Sequence, residues 1–237
     1  MLKKLLTFWK KLRRAKRLAR SRSAIPPYLL KDFEAELNYK LWTTKGARFT
    51  ASHRTETQHR LSGQCVGYLS AYLIVVGLVK VYGLNFWMIK LTDTEVNFAS
   101  VSLSVMILLF SQLESSENFV LKSNRYHDCA LDIAELYNDL RYTKTYENTN
   151  PDKNRILHGI SDKYDKILKR YDNHKPIDYE KFQLTKPGYF KLNGIKRAII
   201  RLNYYYKVQF KYHLLMYGPL LLFILVNLKK LFIDPIN

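Results

Sequence analysis

Cysteine is scarce: Cys65 and Cys129 are the only two in 237 residues. That excludes a disulfide framework and any CxxC redox or zinc pair. The nine glycines are scattered, and none stands in a Walker-type or GxGxxG loop, so no phosphate cradle is written into the chain. The six histidines form no HExxH. "HDC" at 127–129 puts three neighbours in different directions on a helix, where they cannot converge on one metal. No motif pairs a serine with a base. Strand-like alternation and internal repeats are missing too. These absences leave no cofactor, no metal and no catalytic residue to expect, and the chain reads as a protein that is not an enzyme.

What is present is positive charge and bunched apolarity. The formal charge is +19, which points to a polyanionic neighbour, either nucleic acid or the anionic face of a membrane. Two uncharged runs stand out, Leu61–Val79 between Arg60 and Lys80, and Val96–Leu113 between Glu95 and Glu114. As helices at ~1.5 Å per residue they match the hydrocarbon core of a bilayer, so they read as a transmembrane hairpin. Residues 1–60 hold 16 Lys/Arg against 4 acids, and residues 114–211 hold 19 against 13, while the connector 80–95 holds two of each sign. The positive-inside rule then puts the N-terminus and the 114–211 region in the cytoplasm. Phe86 and Trp87 in the connector suit an interfacial aromatic belt. A third apolar segment, 212–228, carries His213, Asn227 and Gly218–Pro219. It is short enough to be a span, a re-entrant helix or a buried cytoplasmic helix.

The fold class is all-α: a membrane protein whose two-helix hairpin continues into a cytoplasmic helical bundle, with a candidate third membrane segment near the C-terminus. The pattern divides the chain into a basic amphipathic segment (1–27), cytoplasmic helices leading to the membrane (28–60), the hairpin (61–113), a helical stalk or bundle (114–180) and a C-terminal helical region (181–237). After the second span, apolar positions from Phe119 to Leu140 recur at three- and four-residue steps, so the span is expected to run on as one helix of nearly fifty residues. Asn150–Pro151 reads as the cap of the next helix. "TTKGARFTASHRTETQHR" (43–60) reads as the stretch that carries the chain to the membrane.

Within the spans, Gly63, Gly67 and Ala71 recur at steps of four, a face that lets helix backbones approach closely. They are the candidate helix-packing residues, whether for the hairpin itself or for neighbours. Ser100, Ser104, Ser111 and Gln112, with Glu114 and Glu117 at the cytoplasmic end, are the candidate pore-lining set, because hydroxyls facing a lumen hydrate passing ions. Neither span carries a charge, which argues against proton coupling or voltage sensing.

"LWTTKGARFTASHRTETQHRLSGQCVGYLSAYLIVVGL" leads from Trp42 through Ala47-Arg48-Phe49 and Arg54 straight into a span. With the second span, "RYHDCALDIAELYNDLR" and "YDKILKRYDNHKPIDY" following in order, residues 38–180 resemble the SLATT family of bacterial two-transmembrane effectors. The extended C-terminal helical region is similar to the branch found beside reverse transcriptases. The resemblance implies a homo-oligomeric, pore-forming effector of an anti-phage, abortive-infection system in the bacterial inner membrane. It also implies a sensor partner encoded nearby, either a nucleotide-signal synthase or a reverse transcriptase. The other reading is a non-conducting anchor or scaffold that recruits a protein or nucleic-acid partner through its cytoplasmic helices.

The opening "MLKKLLTFWKKLRRAKRLARSR" holds ten Lys/Arg and no acid. Its longest apolar run is too short for a secretory signal, and an organellar presequence would not suit a bacterial chain. On a helix, Leu2, Leu5, Leu6, Trp9 and Leu12 share one face, while Lys10, Lys11, Arg13 and Arg14 lie among the basic residues around it. That pattern suits an interfacial helix on the lipid bilayer. Nucleic acid bound through residues 1–22 is the rival, but it needs the charges and not the Leu5/Trp9 face.

Overall fold

The computed structural model describes residues 32–82, 92–147 and 149–233. The N-terminal segment, with Leu5, Trp9, Lys10, Lys11, Arg13 and Arg14, lies outside the described residues, as do Phe86 and Trp87. The described residues form seven helices and no strand: α1 (Phe33–Tyr82), α2 (Asp93–Ser116), α3 (Phe119–Tyr146), α4 (Lys153–Arg170), α5 (Pro176–Gln183), α6 (Gly194–Val208) and α7 (Phe210–Ile233). The all-α architecture is therefore as the sequence pattern anticipates. Two helices, Phe33–Tyr82 and Asp93–Tyr146, are long and apolar enough to cross a membrane.

The second of these carries the expected continuation of the span into a stalk. It is punctuated once, between α2 and α3, where Asn118 adopts a left-handed φ of 48°. Asn tolerates that conformation better than most residues, and Lys122 N–H still bonds the Asn118 carbonyl at 3.0 Å. At the opposite end, α2 starts on a capping box. Glu95 N–H bonds Thr92 Oγ1 at 3.3 Å, and Thr92 N–H bonds Glu95 Oε2 at 2.8 Å. Lys80 donates to Asn97 Oδ1 at 2.6 Å, tying the two hairpin helices beside the connector.

The first long helix differs from the expectation. "TTKGARFTASHRTETQHR" is not a separate approach segment but the middle of a single 50-residue helix. Its hydroxyls are absorbed by the helix itself: Thr43, Thr50 and Thr57 donate to carbonyls four residues back at 2.8–2.9 Å, as Ser/Thr do when they sit mid-helix. α4 starts at Lys153 rather than Pro151. Asn150 Oδ1 accepts from Asp152 N–H at 2.9 Å and closes a turn ahead of the helix.

The described residues divide into two compact units, one built from 32–45 and the described part of 131–170, the other from 46–82, 92–130 and 171–233. In the first, Leu37, Leu41, Ile133, Leu136, Leu140, Leu157, Ile160 and Tyr164 are buried. Thr44 and Tyr164 hydroxyls bond at 2.8 Å. The Lys45 ammonium sits 4.1 Å from the Tyr137 ring centroid. Glu34 receives Lys153 at 2.7 Å and Lys144 at 3.3 Å; the bond from Lys153 leads in holding its carboxyl below the usual range.

In the second unit, Gly46 is a notch rather than a breaker. A Cβ built there would lie 2.1–2.5 Å from three carbons of the Phe182 ring, well inside van der Waals contact. That ring cannot readily move, since it is buried and Phe190 meets it edge-on at 6.0 Å. Gly46→Ala should therefore lower stability by about 1–3 kcal/mol through overpacking. Thermal unfolding of detergent-solubilised protein checks this. The loss should shrink in a Phe182→Ala background, and an equal loss in both backgrounds would show that Phe182 is not the cause.

Candidate functional site

The membrane half of the second unit is packed by one face of each span. Leu61, Cys65 and Leu69 of α1 form a buried cluster with Tyr212 and Met216 of α7, and Tyr72, Leu103, Ile107, Phe110 and Leu215 pack against it. In a bilayer such contacts act by van der Waals fit and hydrogen bonding rather than by expulsion of water. Tyr72 Oη donates to the Met216 carbonyl at 2.6 Å, reaching the backbone upstream of Pro219, the residue inside α7. Tyr68 and Tyr217 rings meet edge-on at 6.1 Å. The 212–228 segment thus lies along the first span, as part of a helix that meets α6 at a bend of 68°.

At the C-terminal end of the apolar part of α2, Glu114 is buried. It accepts Lys211 Nζ at 2.5 Å on one oxygen and Tyr212 Oη at 2.8 Å on the other. The pair neutralises a carboxylate that sequence alone assigned to a lumen. Glu117, one turn further, is exposed, and the Lys122 ammonium beside it holds its carboxyl below the usual range.

Of the other residues singled out in the spans, only Ser100 approaches this packed face. Gly63, Gly67 and Ala71 are exposed on the opposite side of α1, and a Cβ added at Gly63 or Gly67 meets nothing within 4 Å. Hairpin packing inside the chain is done by the larger residues named above. Ser100 is half-buried and Ser104 exposed. Their hydroxyls donate to Val96 and Ser100 carbonyls at 2.9 and 2.8 Å. Ser111 and Gln112 are exposed.

Below the membrane, α1 carries a buried polar junction that sequence reading missed. Arg54 is buried, its Nε donating to Asp178 Oδ1 at 2.7 Å, its Nη2 to Asp178 Oδ2 at 3.2 Å and its Nη1 to Gln58 at 3.0 Å. Asp178 also accepts Lys175 N–H at 2.9 Å, so one carboxylate both pairs Arg54 and caps α5. Arg48 is fully buried. Its Nη2 donates to Asn173 Oδ1 at 3.2 Å, and its guanidinium lies 5.9 Å from the Tyr126 ring centroid. Its Nε and Nη1, and Nδ1 of His174, are buried without hydrogen-bond partners. Ser52 and Ser123 close the junction with hydroxyls 3.1 Å apart. The one available signal was a pair of arginines in an otherwise helical polar stretch. Their partner is more than 120 residues away in sequence, where no local pattern connects it. Among the described residues no group of His, Cys, Asp or Glu is placed to hold a metal.

A two-span apolar hairpin continuous with polar helical parts defines a class: helical membrane proteins. The family model described as "SMODS and SLOG-associating 2TM effector domain family 5" matches residues 30–225. The chain belongs to this SLATT family, and is a membrane effector domain of conflict systems. The match extends the resemblance read over 38–180 to take in α5, α6 and much of α7. No curated protein and no solved structure matches the chain.

Two tests follow from the junction. Asp178→Asn leaves Arg54 buried beside a neutral amide and should destabilise the protein by about 3–5 kcal/mol, as breaking a buried pair does. Arg54→Leu combined with Asp178→Leu should recover part of that loss in thermal unfolding. His174 gives a pH dependence. Burial, and then the Arg48 charge, hold its pKa below the ordinary value, with Asp178 opposing. The folded state therefore binds fewer protons than the unfolded chain as pH falls through the unfolded value of ~6.5. Stability is full above that pH and declines below it until the folded pKa is reached. His174→Gln should flatten this part of the stability profile, and an unchanged profile would remove His174 as the group responsible.

Proposed function

We propose that the chain is the membrane-disrupting arm of a bacterial anti-phage, abortive-infection system. It sits in the inner membrane with its N-terminus and the 114–211 region in the cytoplasm, oligomerises, and opens a pore when a sensor partner encoded nearby acts. A nucleotide-signal synthase or a reverse transcriptase would fill that partner role. It acts without catalysing a reaction. The family membership supports the effector role, and the charge asymmetry around the hairpin supports the orientation.

The observation that carries the assembly reading is the open face of α1. Gly63 and Gly67 expose backbone on a side that none of the described residues covers. In lipid, small residues give helix association its close approach, and a second copy is the natural occupant. The Ser100, Ser104, Ser111 and Gln112 face is our choice for the lumen. In the closed state the serines at 100 and 104 need no water, since i−4 carbonyls accept their protons. Glu114 would join the lumen only after release from Lys211 and Tyr212. We assign 212–228 to a third crossing, parallel to the first span, because it packs along that span from Cys65 to Tyr72.

The test joins assembly to conductance. Gly67→Cys should cross-link between copies in membranes, whereas the parent, whose two cysteines are buried, should not. Gly67→Leu and Ala71→Leu should insert normally yet lose depolarisation of cells in a membrane-potential dye assay. Unchanged depolarisation in both leucine variants would remove this face from the mechanism. Cross-linking with no depolarisation under any trigger would leave an anchor or scaffold.

A further inference from the structure

α6 presents two opposite faces. On one, Tyr204 and Val208 are buried with Ile177 of α5. Asn203 donates to Glu180 at 3.3 Å, and Lys181 sits 4.5 Å from the Tyr204 ring centroid. On the other, Ile195, Ile199, Leu202 and Tyr206 are 72, 58, 67 and 67% exposed. Their steps of four, three and four keep them on a single helical face, diametrically opposite Tyr204 and Val208. A soluble helix seldom leaves one whole apolar stripe uncovered.

We propose that α6 is a membrane-surface helix, whose Ile195/Ile199/Leu202/Tyr206 stripe lies in the anionic cytoplasmic leaflet. Three observations select lipid as the occupant. First, α6 leads within a single residue into apolar α7, through a 68° bend. If α7 stands near the bilayer normal alongside the first span, α6 lies close to the membrane plane. Second, the bend sits at the level of the Glu114–Lys211 pair, at the cytoplasmic end of the second span, so α6 ends at the depth of the headgroups. Third, residues 181–211 hold eight Lys/Arg and no acid. Lys196 and Lys207 flank the stripe and Arg201 stands further round, on the Val208 side; such long basic side chains reach phosphates while their stems stay with the apolar surface. The tyrosine run 204–206 suits the same boundary. Nucleic acid would need these charges but would leave the isoleucine stripe uncovered. The inference rests on the proposed orientation and on the proposed crossing of 212–228, and it stands even if no pore ever opens.

The test uses the full chain reconstituted in phosphatidylcholine vesicles with or without phosphatidylglycerol. Nitroxide labels are placed at Ile199→Cys and, on the opposite face, at Arg197→Cys. In the anionic vesicles the 199 label should be relaxed by oxygen and shielded from a water-soluble nickel chelate, and the 197 label should behave in the reverse way. Neutralising Lys196, Arg201 and Lys207 to Gln should weaken docking, by about fivefold per charge in the docked-to-lifted equilibrium, and mainly in the anionic vesicles. Equal nickel access at both positions would overturn the proposal. So would a 199 label shielded from oxygen and nickel alike, which would mean that protein, such as a second copy, covers the stripe. Both readouts are indifferent to conductance, so a failure here is distinguishable from failure of the pore.

Discussion

The buried Arg54–Asp178 pair is the contact on which the arrangement of the second unit depends. Arg54 stands two turns before the membrane on α1, and Asp178 sits in the first turn of α5, where it also accepts from Lys175 N–H. α5 then holds α6 through Ile177, Tyr204 and Val208, and α6 turns into α7, which packs on the first span. A bidentate pair fixes direction as well as distance, so the helix that enters the membrane and the helix that returns to it share one reference point. Such a pair adds little net stability over an apolar contact of equal volume, yet is costly to break singly. Its use here is register: it sets which turn of α1 faces α5. The exposed pairs Lys122–Glu117 and Arg125–Asp172 cannot serve that way, since solvent-screened pairs contribute about 0–1 kcal/mol.

Around this pair the junction carries more positive charge than it cancels. Arg48 is fully buried, and the carboxylate within reach of the junction is already shared between Arg54 and the α5 cap. Arg48 relies instead on an amide oxygen and the face of Tyr126. Two of its N–H-bearing nitrogens and the neighbouring Nδ1 of His174 are left without partners. An under-satisfied buried cation is a place where a fold is easily biased between arrangements. Its location at the root of the first span means that a repacking here would act on one uninterrupted helix that continues into the apolar segment.

The hairpin and the helical continuation beyond it were legible in the sequence, because lipid imposes length and charge rules that act on contiguous residues. Uncharged runs at 61–79 and 96–113, and apolar steps from Phe119 to Leu140, needed no knowledge of distant partners. The 43–60 stretch was not legible. Its Thr, Ser and Arg residues look like a solvated connector until Ser123, Asn173 and Asp178 are placed beside them. Gly46 looks like a breaker until Phe182 fills the space its missing side chain leaves. The partners of Glu114 were hidden for the same reason, since Lys211 and Tyr212 lie nearly a hundred residues away. α6 was absorbed into one long C-terminal helix. The residue that divides it from α7, Gln209, is neither Gly nor Pro and carries no local sign of a bend.

These relations bear on how a two-span hairpin could be kept from conducting. Small residues on the outward side of α1 invite neighbours, whereas the inward side is occupied by α7 through Tyr212 and Met216. A helix in that position covers the surface from which α1 and α2 would otherwise reach one another's copies, and the Glu114–Lys211 contact fixes its membrane entrance. Withdrawal of α7 would uncover Glu114, Cys65 and Leu69 together, placing a carboxylate at the mouth and an apolar seam beneath it. On the proposed reading, assembly through the α1 face would require no such withdrawal, whereas exposing Glu114 would require the Glu114–Lys211 contact to break, so the two would be separable steps.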